Sequence, residues 1–141
     1  MKDLKYLFAY TVPLATLISF NSFGIGTYTA VFYAFVVLPV LDVVLGKSSN
    51  NLTESKREEK KLNKIFDWML YINLPIVYIL MLYGFNKVSS IDYTITEKIG
   101  LYLSGGILLA TNGINVAHEL CHRRKYYEKF IGKALFLPCL Y

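Results

Sequence analysis

Residues 115–124, "NVAHELCHRR", decide the reading of this chain. The stretch holds its only two histidines, His118 and His122, with Glu119 between them. Side chains four apart on an α-helix lie on one face, about one turn apart. Two imidazoles so placed can converge on a single metal ion. An apolar run leads into the stretch from about Gly100, and Arg123, Arg124 and Lys125 follow it. The pattern is that of a helix that crosses a membrane and ends in metal-ligand chemistry. Solvated histidines at a helix C-terminus would also be favoured by the helix dipole. That account leaves their ligand spacing unexplained.

The composition agrees with a membrane setting. Of 141 residues, 55% are hydrophobic and 16% aromatic, and mean hydropathy is +0.40. A small soluble domain buries only part of its surface and could not hide so much apolar side chain. A spanning helix needs about 20 mostly apolar residues. Runs at residues 6–23, 25–45, 65–85 and 100–118 meet that length. A fifth, at residues 130–141, is too short to span and reads as the start of another helix. The expected fold is all-α: a polytopic membrane helix bundle of four spans plus that start, one membrane domain over residues 1–141. The first two spans form a tight hairpin around Asn21–Gly26. The N-terminus resembles a signal peptide but lacks a small-residue cleavage site, so it is read as a retained span.

The net charge is +5 and the pI about 9.1. Thirteen of the fifteen lysines and arginines fall before the first span, between spans two and three, or after span four. Only Lys87 and Lys98 fall on the other side. The positive-inside rule places the thirteen, the N-terminus and the histidine pair in the cytoplasm. The charge therefore reports orientation and not a nucleic-acid partner. The polar segment at residues 50–64 carries a capping-box pattern, Ser55 with Glu58. Its "NLT" sequon lies on the cytoplasmic side and is a chance match. Cys121 and Cys139 form no CxxC pair and indicate neither a disulfide framework nor a zinc knuckle.

Three further readings concern the spans. At 100° per residue, Ser104, Thr111, Asn115, His118 and His122 fall on one stripe, which must face helices or a cavity. Asn115 can hydrogen-bond to the histidine pair from one turn away. Gly105 and Gly106 read as close-packing positions. Asp42, inside "LPVLDVVLG", is an ionisable residue within a span, which marks a functional site by default. It lies about 26 Å along span two, and His118 about 27 Å along span four, so both approach the same membrane edge. Asp42 reads as a metal ligand, as the acceptor that fixes a histidine tautomer, or as an interfacial charge at the end of its helix. Asp67 reads only as a helix N-terminal charge.

The spacing H-E-x-x-H leaves the chemistry open. A zinc peptidase uses the histidines as ligands and the glutamate to activate water. A membrane di-iron enzyme uses the same spacing as its first histidine box. "NVAHELCHRR", with "LPVLD" two spans earlier, resembles the integral-membrane alkane hydroxylases (alkane 1-monooxygenases) of the fatty-acid desaturase and hydroxylase superfamily. The resemblance implies that His118 and His122 are iron ligands, that Glu119 is a catalytic or supporting carboxylate, and that Asp42 is a metal-site carboxylate. It implies a non-haem di-iron cofactor, an alkane and O2 as substrates, and an acidic rubredoxin-type electron donor. The location implied is a bacterial inner (cell) membrane. Arg123, Arg124 and Lys125 would steer the donor or bind anionic lipids.

Cys121 departs from the small residue usual at that place. The later histidine boxes of the family are absent from this sequence. The expected assignment is therefore the N-terminal portion of such an enzyme, with an incomplete iron site and no activity alone. A membrane acyl-chain desaturase or hydroxylase, a membrane zinc metalloprotease using "HELCH", and a non-enzymatic membrane module are the alternatives.

Overall fold

A computed structural model describes residues 8–45 and 64–140. Every regular element among them is helical. Helix α1 is Thr11–Phe20, and α2 is Gly24–Val44. Helix α3, Lys64–Tyr71, continues after a one-residue break at Ile72 into α4, Asn73–Ser90. Helix α5 is Ile95–Cys121, and α6 is Tyr126–Phe136, closed by a short turn at Leu137–Cys139.

Three helical stretches are long and apolar enough to cross a membrane: Gly24–Val44, Phe66–Ser90 and Ile95–Cys121. The four-span expectation is met in helical character, but the described part of the first span, Phe8–Phe20, is shorter. The Ser55–Glu58 capping pattern lies outside the described residues.

The predicted hairpin between α1 and α2 is present. Asn21 Nδ2 donates to Leu17 O at 2.9 Å and closes α1. Gly24 then takes φ +57°, in the left-handed region that glycine tolerates without strain. The Gly24 N–H donates to Glu97 Oε1 at 2.7 Å, which fastens the hairpin to the start of α5. Glu97 also completes a capping box. Its second oxygen accepts from Thr94 N at 2.8 Å, while Thr94 caps the helix. "TITE" carries this signature, and the sequence reading overlooked it.

Between helices in lipid, hydrophobic burial supplies little net drive, because lipid tails are as apolar as leucine. Close packing and hydrogen bonds carry the association instead. Gly100 meets the α1–α2 hairpin so closely that a Cβ there would stand 2.7 Å from the Tyr28 ring. Gly132 of α6 meets α5 as closely: a Cβ there would lie 2.8 Å from Cys121 Sγ and 2.9 Å from Ala117 O. The close-packing role expected of Gly105 and Gly106 is therefore corrected. Gly105 has only ordinary contacts, and Gly106 has nothing within 4 Å.

Helix α6 runs back along α5. Gly132 sits against Ala117 and Cys121, and Cys139 Sγ reaches Leu109 O at 3.8 Å. Tyr78 of α4 also holds it, donating to Ala134 O at 2.7 Å. Val77, Ala117, Leu120 and Leu135 form the buried core that joins α4, α5 and α6. The last apolar run thus begins a return beside the span that precedes it.

Candidate metal centre

The histidine pair sits on the last regular turns of α5, with His122 as the helix C-cap. The His122 N–H donates to His118 O at 3.2 Å, so the backbone between them is helical. Asn115, His118, Glu119 and His122 are all exposed. The spacings 115, 118 and 122 place these three on one face. The His118 ring meets Phe136 of α6 edge-on, centroids 5.0 Å apart. That contact limits the freedom of the ring while leaving it on the surface.

The polar stripe is not continuous. Helix α5 contains a π-helical stretch, Leu109–Ile114. One extra residue in such a stretch turns the helix face by about 100°. Ser104, before it, is fully buried and faces α1 and α2: its Oγ lies 2.8 Å from Thr27 O and 3.1 Å from Ser19 Oγ. The histidines, after it, face elsewhere. Ser104 therefore does not belong to the histidine face, as a straight helix would have it. Thr111 lies within the π stretch, half-buried, with Oγ1 2.8 Å from Ile107 O.

The sequence reading missed Asn73 and Asn112. Both are buried, and Asn112 Nδ2 donates to Asn73 Oδ1 at 2.8 Å and to Ala9 O at 3.1 Å. This pair joins α4, the π stretch and the segment before α1. The signal was available: two amides inside apolar runs, in "YINLP" and "ATNGI". Both amides line a cleft of about 450 Å³. Its walls include Phe8, Leu38, Phe66 and Val116, and Glu119 stands at its edge. Asp42 is exposed on α2, one turn beyond Leu38 and so on the same helix face. Among the described residues, no three His, Cys, Asp or Glu side chains come close enough together to hold one ion.

Arg123 closes the end of α5. Its guanidinium pairs with Asp67 of α3 and with Glu128 of α6, the latter at 3.1 Å, and Nε lies 3.8 Å from Glu119 Oε1. Asp67 is therefore more than a helix-end charge. It anchors the arginine that follows the histidine pair. Tyr71 OH donates to the same Glu128 oxygen at 2.6 Å. Glu128 is only 2% exposed. Burial by itself would raise its carboxyl, but hydrogen bonds from Tyr71 and Arg123 outweigh that and hold it below the usual range. Burial likewise works against the Arg123 charge, and the pairing with Asp67 and Glu128 prevails. Arg123 is thus engaged within the protein, whereas Arg124 and Lys125 are exposed.

No protein-family model matches the chain. Curated relatives do. It is 32% identical to alkane 1-monooxygenase 2 of Alcanivorax borkumensis, over 100% of this chain and 39% of the relative. It is 29% identical to alkane 1-monooxygenase of Pseudomonas putida, over 77% of this chain and 26% of the relative. It is 27% identical to alkane 1-monooxygenase 1 of Alcanivorax borkumensis, over 69% of this chain and 24% of the relative. The chain therefore spans well under half the length of the curated relatives it matches.

Proposed function

We propose that this chain, related by sequence to the alkane 1-monooxygenases, forms part of a membrane monooxygenase that hydroxylates the terminal carbon of alkanes. One observation carries the reading. Two exposed imidazoles one turn apart end a membrane-length helix, and the glutamate between them stands at the edge of an apolar-walled cleft. His118 and His122 would hold iron in a non-haem di-iron site. Imidazole and carboxylate donors suit such a centre. The described residues fit part of a ligand set, and the rest of the donors would come from outside them. Iron bound there would supply the oxygen chemistry that attacks an unreactive C–H bond.

The chain's own residues do the remaining work. An alkane offers no hydrogen-bonding handle, so its site must be shaped by apolar walls. Phe8, Leu38, Phe66 and Val116 provide them, and the cleft takes the chain from the bilayer. Asn73 and Asn112 are satisfied by each other and by backbone, so the cleft keeps no unmade amide bond to attract water. Glu119 supplies a carboxylate at the mouth, and Arg123 beside it fixes where that charge sits. Asp42 supplies a second carboxylate, as a ligand or as the acceptor that orients an imidazole. Asn115, on the histidine face, supports the pair by hydrogen bonding. Electrons arrive from an acidic rubredoxin-type donor steered by Arg124 and Lys125. The box end faces the cytoplasm of a bacterial cell membrane.

A chimera tests the reading. This chain replaces the matching stretch of the Alcanivorax borkumensis alkane 1-monooxygenase 2, and 1-alkanol formation is measured in membranes. Alcohol is expected from the chimera and not from its His118→Ala or His122→Ala forms at equal membrane abundance. Undiminished alcohol formation in both variants would overturn it.

A further inference from the structure

A second groove lies where the segment before α1 meets α3 and α4 at the same membrane edge, and it shares Tyr10 and Met69 with the walls of the first cleft. It encloses about 700 Å³ and is lined by Tyr10, Trp68, Tyr71, Ile72, Pro75 and Ile76, among others. Both tyrosine hydroxyls are hydrogen-bonded, that of Tyr10 to Met69 in the groove's own wall. Tyr10 OH donates to Met69 O at 2.5 Å, and Tyr71 OH donates to Glu128. They present rings, not polar atoms, to the groove. Trp68 is 71% exposed at its rim, near the start of the span Phe66–Ser90.

A chain of ring contacts leads from the groove to a cation. Trp68 meets Tyr71 at 6.3 Å between centroids, and Tyr71 meets Tyr127 at 5.9 Å. Lys125 Nζ lies 5.5 Å from the Tyr127 ring centre. The nearby carboxylates turn inward: Asp67 and Glu128 both pair with Arg123. Arg124 and Lys125, which follow Arg123 in the chain, are exposed.

We propose that this groove is a binding site for an anionic phospholipid, with an acyl chain along the Trp68–Ile76 wall and the phosphate at Arg124 and Lys125. The match is one of chemistry at each end. Apolar walls run along the span and exposed cations stand at its edge, and interfacial aromatics bridge the two, as they do at headgroup level. A zwitterionic lipid would bring a cation of its own to a rim whose carboxylates are already paired.

The chain has a single tryptophan, which makes the test direct. The purified 141-residue chain is placed in vesicles that contain either brominated phosphatidylglycerol or brominated phosphatidylcholine at low mole fraction, and Trp68 quenching is recorded. The anionic lipid should quench at a mole fraction lower by on the order of 25-fold, since two interfacial cations each contribute about five-fold. The preference should vanish in Arg124→Glu/Lys125→Glu and persist in Lys87→Glu, whose charge lies at the far membrane edge. Equal quenching by both lipids would overturn the proposal, as would quenching by neither. A preference that survives the double variant would overturn it as well.

Discussion

The two ends of the bundle use polar side chains in opposite ways. At the hairpin end, polar groups are satisfied by the chain itself. Ser104, Ser19 and Thr27 are fully buried and bond across α5, α1 and α2, and Glu97 gathers Gly24 and Thr94. At the box end, an equally tight network of Asp67, Arg123, Glu128 and Tyr71 joins α3, α5 and α6. Yet this end also presents His118, Glu119 and His122 on the surface. One end spends its polarity on holding helices together. The other holds them together and keeps further donor atoms outward. The proposed metal site rests on that difference and not on the bare presence of polar residues in a span.

The largest effect should come from the box end. Arg123→Ala leaves Glu128 buried without its charge partner, and breaking such a pair costs about 3 kcal/mol or more. Helix α6 should then release Cys121, which it covers at Gly132. Thiol labelling of Cys121 in a Cys139→Ser background should accelerate on the order of 100-fold. Labelling at the wild-type rate would break the contrast. Gly132→Val forces a branched side chain against the Ala117 carbonyl and Cys121. Overpacking of this kind costs about 1–3 kcal/mol, and the same assay should show a smaller acceleration.

At the hairpin end, Ser104→Ala leaves Thr27 O without its side-chain donor. It should destabilise by about 1 kcal/mol in thermal unfolding and leave Cys121 labelling unchanged. A change in that labelling would mean that the two ends are one cooperative unit. The mildest test is pH. The folded Glu128 carboxyl titrates below its unfolded value, so its stabilisation is complete above the ordinary glutamate range. It is lost as pH falls through the depressed folded value. Release of α6, followed by a thiol reagent active in acid, should increase across that window and flatten in Glu128→Gln.

Much of this was legible in the sequence. Run lengths gave the all-helical class, and Asn21–Gly26 gave the hairpin. "HELCH" gave two histidines on one helical face. The losses have specific causes. Periodicity assumes one angle per residue, and the π stretch at Leu109–Ile114 breaks it, so Ser104 and the histidines part company. Long-range pairs leave no periodic trace. Asp67 and Arg123 are 56 positions apart, and Asn73 and Asn112 are 39. Each looks like an isolated polar residue until the helices are packed.

The central claim is that His118 and His122 form a metal-binding pair. It is tested most directly by elemental analysis of the detergent-purified chimera with the Alcanivorax borkumensis relative, which supplies the remaining donors, beside its His118→Ala/His122→Ala form. Iron is expected in the chimera above the level in the double variant. Iron equal in both would contradict it, and so would stoichiometric zinc lost with the histidines, which would bring the peptidase chemistry forward.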